Sequence, residues 1–175
     1  RRELEEARDF QQRAVELRTE LLGADHPLVA TALSCLGAVA RSRGQLDEAL
    51  ELQQRALTIA VQALGPDHPD VADPLAELGE VRLDRSEPAL AIPPLERALA
   101  IRSAQSTSPA GLAELRFSLA RALWAAPEQD GRDQPRAHTL AEQARGSLAT
   151  AEGSERPDLP VAEVEAWLVE HSVEE

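Results

Sequence analysis

Gly23-Ala24-Asp25-His26-Pro27 returns 42 residues later as Gly65-Pro66-Asp67-His68-Pro69. The same shift carries Leu33 to Leu75, Leu36 to Leu78, Gly37 to Gly79 and Ala49 to Ala91. It also carries Arg55-Ala56-Leu57 to Arg97-Ala98-Leu99 and Ile59 to Ile101. Run backwards, it places Gln53-Gln54-Arg55-Ala56 on Gln11-Gln12-Arg13-Ala14. Agreement at small and apolar positions together marks an internal repeat, the pattern of stacked supersecondary units.

Within one period the pattern reads as two helices. Helix A starts at Pro27, where a missing N–H costs nothing. Val29, Leu33, Leu36 and Ala40 follow at helical spacing, and Arg41-Ser42-Arg43-Gly44 ends it with a left-handed glycine cap. Helix B runs from about Leu46 to Gln62, with Ala49, Leu52, Ala56, Leu57 and Ala60 on one face. A looser third copy has Leu119-Ala120 in place of Leu78-Gly79, a long link from Ala125 to Gln134, and Ala137, Leu140, Ala141 and Ala144 inward. Pro160 to Ser172 reads as a closing helix over the last uncovered apolar face. Eight helices are expected, in one repeat domain over 1–175. Its parts are a helix B at 1–23, repeats at 24–64 and 65–106, a degenerate repeat at 107–152, and a capping helix and tail at 153–175. The fold class is all-α, a right-handed superhelical solenoid of antiparallel helix pairs, about three and a half repeats. Pro74 and Pro93-Pro94 fall inside predicted helices, at about 3 kcal/mol each. Either those helices kink or helix B starts late, near Pro93.

Composition narrows the function classes. The net charge is −13, and all 18 basic residues are arginine. Such an acidic chain is repelled by a phosphate backbone, so nucleic acid is discounted as a partner. No apolar run approaches a membrane span, so no membrane role is read. Asparagine, tyrosine, lysine and methionine are absent, and isoleucine occurs only at Ile59, Ile92 and Ile101. That bias suits a GC-rich bacterium, and the lack of methionine predicts a piece of a longer polypeptide. The one cysteine, Cys35, suits a reducing, cytoplasmic compartment.

The sequence offers no catalytic constellation, so no enzyme activity, cofactor or metal is expected of it. His26 and His68 precede proline and read as helix-cap residues. His138 and His171 have no ligand-spaced partners. Cys35 reads as a buried or half-buried thiol rather than a nucleophile.

The spacing resembles the 42-residue tetratricopeptide repeat of kinesin light chains and many bacterial proteins. The residues carrying the resemblance are the small ones where helices cross: Gly37, Ala49 and Ala56, then Gly79, Ala91 and Ala98, then Ala120. The resemblance implies a protein-interaction scaffold whose A helices line a groove. Registered on Gly37, that groove takes Thr31, Ser34, Ala38 and Arg41 from the first complete repeat. The next contributes Asp73, Glu77, Glu80 and Asp84, and the third Glu114, Phe117, Arg121 and Trp124. The four carboxylates, at spacings of 4, 3 and 4, form one helical stripe. It either attracts a basic protein or peptide or is a solvated face of an acidic chain. Phe117 and Trp124 either anchor a ligand side chain or pack under the link or against Trp167. The family's usual helix-A asparagines, which hold a peptide backbone, are matched here by Ser34-Cys35 and Ala76-Glu77, so that clamp is not carried over.

Phe117-Ser118-Leu119-Ala120-Arg121-Ala122-Leu123-Trp124, Arg136-Ala137 and Glu163-Val164-Glu165-Ala166-Trp167-Leu168 resemble the repeat tails of multidomain bacterial serine/threonine protein kinases. The chain contains none of the kinase motifs, so kinase activity would belong to another part of such a protein. The alternative is a ligand-sensing or self-association domain of a nucleotide-dependent transcription regulator. A third reading is a spacer. Apolar residues on the opening helix, Phe10, Ala14 and Leu17, further predict a homodimer through that helix.

Overall fold

The computed structural model describes residues 2–105, 109–150 and 159–172. The described residues form eight α-helices: α1 (Arg2–Leu22), α2 (Pro27–Ser42), α3 (Leu46–Leu64), α4 (Ala72–Asp84), α5 (Pro88–Ala104), α6 (Pro109–Ala125), α7 (Gln134–Thr150) and α8 (Val161–Glu170). Single 3-10 turns at Pro69–Val71 and Glu128–Asp130 precede α4 and α7. The chain falls into two compact units, Arg1–Arg85 and Ser86–Glu175, divided between α4 and α5. The expected segment boundaries at 106/107 and 152/153 lie outside the described residues.

In the first unit α2 packs against α1, α3 and α4. That explains why Val29, Ala30, Ala32, Leu33, Leu36 and Ala40 are all buried, more than one stripe of the helix. Each fully buried leucine or valine contributes roughly 1.5–3 kcal/mol. Both ends of α2 are closed chemically. His26 sits at the N-cap, its ring Nδ1 accepting from the Leu28 amide at 3.2 Å. At the other end the Gly44 amide reaches the Arg41 carbonyl at 2.8 Å and the Gln45 amide reaches Ala40 at 2.9 Å. This double closure needs a left-handed residue, and Gly44 has φ +76°. The second copy repeats the device with His68, whose ring accepts from Asp70 at 3.2 Å. There Ser86, at φ +59°, takes the place of the glycine.

Helix α3 departs from the expected inward face at Leu52, Leu57 and Gln53. Leu52 and Leu57 are half-buried, whereas Gln53 is fully buried beside Ala49, Ala56, Ile59 and Ala60. Its Nε2 donates to the Ser34 carbonyl at 2.9 Å. A Cβ on Gly37 would lie 2.6 Å from that nitrogen, so any larger residue there must push Gln53 off its hydrogen bond. Ala40, Ala49 and Val81 form a core cluster flanked by Leu46, Leu50 and Leu52.

In the second unit α6 packs between α5 and α7, and α7 holds α8. The residues expected inward on α7 (Ala137, Leu140, Ala141 and Ala144) are all buried. The link between α6 and α7 is tied down by main-chain bonds, including the Asp133 amide to the Leu123 carbonyl at 3.1 Å.

Of the two proline alternatives, the late start of helix B near Pro93 needs correction. Helix α5 begins at Pro88, not near Pro93, and runs unbroken through Pro93-Pro94. Buried Ala91, Ile92, Leu95, Ala98 and Ile101 flank the prolines, and their packing offsets the two lost backbone bonds. Pro74 causes no break either. The chain enters by the 3-10 turn, the α-helix proper starts at Ala72, and Pro74 therefore sits in its first turn, where amides have no intrahelical acceptor.

Candidate functional site

Helices α2 and α4 bring the groove residues of the first unit into two clusters. The first surrounds a pocket of about 310 Å³ at the N-terminal ends of the two helices. Thr31 and Ser34 line it from α2, and Asp73 and Pro74 from the first turn of α4. Ala60 and Leu64 form its apolar floor from α3, and Asp70 adds a second carboxylate from the 3-10 turn. The pocket is thus built of hydroxyls, two acidic side chains and a short apolar wall. Cys35 also lines it and is exposed, which corrects the expected buried or half-buried thiol. The helix register explains this: Cys35 falls between Ser34 and Leu36, where α2 faces the opening instead of α1 or α3.

The second cluster closes on itself. Arg41 reaches across from α2 to three carboxylates of α4: Asp84 at 3.2 Å, Glu77 at 3.4 Å and Glu80 at 3.7 Å. The Asp84 contact is a hydrogen bond from Nη1, whereas Nε and the facing Glu77 oxygen make an ionic contact without hydrogen-bond geometry. Burial pushes the Glu77 carboxyl above its ordinary range, Arg41 pulls it back, and Glu80 and Asp73 add to the rise. Burial works against the charge on Arg41, but Glu77, Glu80 and Asp84 together raise its pKa. Three of the four carboxylates in the stripe therefore already share a cation supplied by their own chain. Asp73, at the far end, belongs to the pocket.

Two further ion pairs carry the repeat in their numbering. Arg43, at the cap of α2, pairs with Glu5 of α1 at 2.8 Å, and Arg85, at the cap of α4, pairs with Asp47 of α3. Both partners shift by 42 together. The periodicity already contained this signal, as it did the burial of Gln53, which the polar character of glutamine conceals.

In the second unit Glu114 and Arg121 are half-buried on α6. Phe117 is buried and meets Trp167 edge to face, centroids 5.9 Å apart. Trp124 meets the same ring at 5.6 Å, and His171 stacks on it at 4.4 Å. The two aromatics thus clasp the closing helix α8, and Phe117 presents no face to a ligand. His171 also caps α8, its Nδ1 lying 2.8 Å from the Trp167 carbonyl. Among the described residues no cluster of three or more His, Cys, Asp or Glu could hold a metal, and no helix is long and apolar enough to cross a membrane.

Family models described as tetratricopeptide repeat match residues 1–28 and 28–104. Among solved structures, the chain is similar to a Podosopora anserina protein described as a kinesin light chain with nearly identical TPR-like repeats. The TM-score is 0.69 at 23% identity, over 96% of this chain and 82% of that one. A second structure under that description, with one substitution, gives 0.70 at 23% identity over 96% and 81%. BtubC (BKLC) of P. vanneervenii gives 0.71 at 20% identity, over 90% of this chain and 63% of that one. No curated protein matches the sequence. At these identities the likeness to the solved structures speaks for the fold.

Proposed function

The chain belongs to the tetratricopeptide repeat family, a family of generally non-catalytic protein–protein interaction scaffolds, and we propose that it holds a protein segment bearing a basic side chain. The observation that carries this reading is the pocket between α2 and α4. It gathers Thr31, Ser34 and Asp73, with Asp70 added, around about 310 Å³. Two carboxylates over an apolar floor suit the charged head and aliphatic stem of one arginine or lysine. The ion-paired cluster beside it is a wall rather than a binding face, because Arg41 already occupies it. The surrounding acidity of the chain, net −13, speeds the encounter with a basic partner. The aromatic pattern of the C-terminal part, similar to repeat tails of bacterial serine/threonine kinases, supports a place in a larger cytoplasmic signalling protein.

The test uses peptides of about twelve residues carrying one central arginine, paired with versions carrying glutamine there. Fluorescence anisotropy against the full chain at low salt should favour the arginine series by about tenfold, which is about 1.4 kcal/mol. Asp70→Asn combined with Asp73→Asn should erase that preference. Equal affinities for the two series would refute the reading.

A further inference from the structure

Both tryptophans of the chain stand in one place, and the chain has no tyrosine. Trp124 comes from α6 and Trp167 from α8, with centroids 5.6 Å apart and planes at 80°. The two indoles are thus adjoining walls of a corner. The His171 imidazole stands in that corner, within 14° of parallel to Trp167 at 4.4 Å and at 88° to Trp124 at 4.9 Å. Phe117, Val164 and Leu168 are buried, whereas Trp124, Trp167 and His171 are each half-buried, so the corner lies at the surface.

The corner does not depend on the imidazole. Helix α8 is anchored by Val164 and Leu168, and its end is closed by the His171 amide, which donates to the Trp167 carbonyl at 3.0 Å. That main-chain bond survives a turn of the side chain. The ring adds its stacking, its contact with Trp124, and an approach of Nδ1 to the same carbonyl at 2.8 Å. The chain's own occupant is therefore a flat group with an N–H donor, laid on an indole and aimed at a helix C-terminal carbonyl. A guanidinium has that shape and a permanent positive charge. It stacks on tryptophan faces, and a helix C-terminus, with its free carbonyls and negative dipole end, favours a cation. Helix α8 adds Glu163, Glu165 and Glu170 and carries no basic residue. We propose that the Trp124/Trp167 corner is a recognition point for the arginine side chain of a partner protein, with His171 as the internal occupant that the arginine displaces. Two walls at the surface grip a group presented on a longer segment, which is why the source is a protein and not a free small molecule.

The probe is N-acetyl-arginine amide, titrated into the full chain, with the N-acetyl amides of lysine and glutamine as controls for charge and size. The readout is the emission of the two tryptophans. The α2/α4 pocket contains neither, so binding there is silent. A saturable change is expected with arginine, at least about threefold stronger than with lysine, because a planar cation stacks better than an ammonium. Glutamine should give none. His171→Ala should lower the half-saturation concentration about threefold or more, since the internal competitor is gone. Proton NMR of the unaltered chain supplies a second measurement, which decides if near-UV circular dichroism shows that the variant loosens α8. The His171 ring signals, held upfield by stacking on Trp167, should move downfield as arginine is added. The inference is overturned by no saturable change up to about 100 mM, or by equal responses to arginine and lysine. A half-saturation that His171→Ala leaves unchanged or raises, with α8 in place, also overturns it, as do His171 signals that stay put through saturation. Free arginine binding more tightly than the blocked amide would assign the corner to a small molecule and overturn it too. Asp70→Asn combined with Asp73→Asn should leave every one of these readouts unchanged, so this proposal and the pocket's fail separately.

Discussion

The pair α2/α3 and the group α6/α7/α8 solve one packing problem in opposite ways. The first brings two helices together by removing volume, with Gly37 against Gln53 and with Ala40 and Ala49 in the core beneath Val81. The second fills volume with rings, Phe117 and Trp124 clasping Trp167, with His171 stacked on it. A close crossing tolerates no enlargement, whereas a ring cluster tolerates no truncation. The difference shows that a repeat can carry large rings beside its small residues, Ala120, Ala137 and Ala144 among them, provided another element covers those rings. In the second unit that element is α8.

The sharpest way to break the comparison is to empty the ring cluster. Trp167→Ala should cost about 3 kcal/mol. The loss should be confined to the second unit, so hydrogen exchange should speed up at the α8 amides while α2 and α3 keep their protection. A uniform loss across both units would contradict the division of labour. Filling the close crossing comes next. Gly37→Ala should destabilise by about 1–2 kcal/mol, because Gln53 must leave the Ser34 carbonyl. In a Gln53→Ala background the same change should become neutral or stabilising, since alanine is the better helix former by about 1 kcal/mol. Thermal unfolding of the four members of this cycle measures the sign change.

Electrostatics supplies a third, smaller contrast, because the cluster around Arg41 belongs to the first unit alone. Arg41→Ala should cost about 1 kcal/mol at neutral pH, the scale of a half-exposed ion-pair network. Glu77 is raised within the folded protein, so it favours folding when protonated, and that contribution fades as pH rises through the folded value. Without Arg41 the rise is larger. The cost of the substitution should therefore shrink as pH falls through the Glu77 titration, and a cost that grows in acid would contradict the assignment. The smallest effect concerns the helix caps. Ser86→Gly should stabilise by about 0.5–1 kcal/mol, because Ser86 holds the left-handed conformation that Gly44 holds one period earlier. Gly44→Ser should show the reverse.

Much of this was legible in the sequence. The repeat of Gly-x-Asp-His-Pro located both histidine caps and the start of α2, and the small residues at 37 and 49 located the close crossing. The late start near Pro93 misled because helix propensity is local, whereas α5 is held by buried side chains on both sides of Pro93-Pro94. At the candidate site, the sequence placed Arg41 and the carboxylate stripe on equivalent faces of neighbouring helices. It did not show that they neutralise one another, because that depends on side chains reaching across 36 to 43 residues of chain. Asp70 escaped notice since it lies in a 3-10 turn outside the helical register.

The exposed thiol on the rim of the α2/α4 pocket has a practical consequence. Cys35 is the only sulfur atom in the chain, as there is no methionine. A maleimide fluorophore or spin label would therefore attach at one atom, beside the proposed peptide site. Alkylation kinetics at Cys35 thus become an occupancy gauge that needs no engineered residue. Arginine peptides that fill the pocket should slow the reaction.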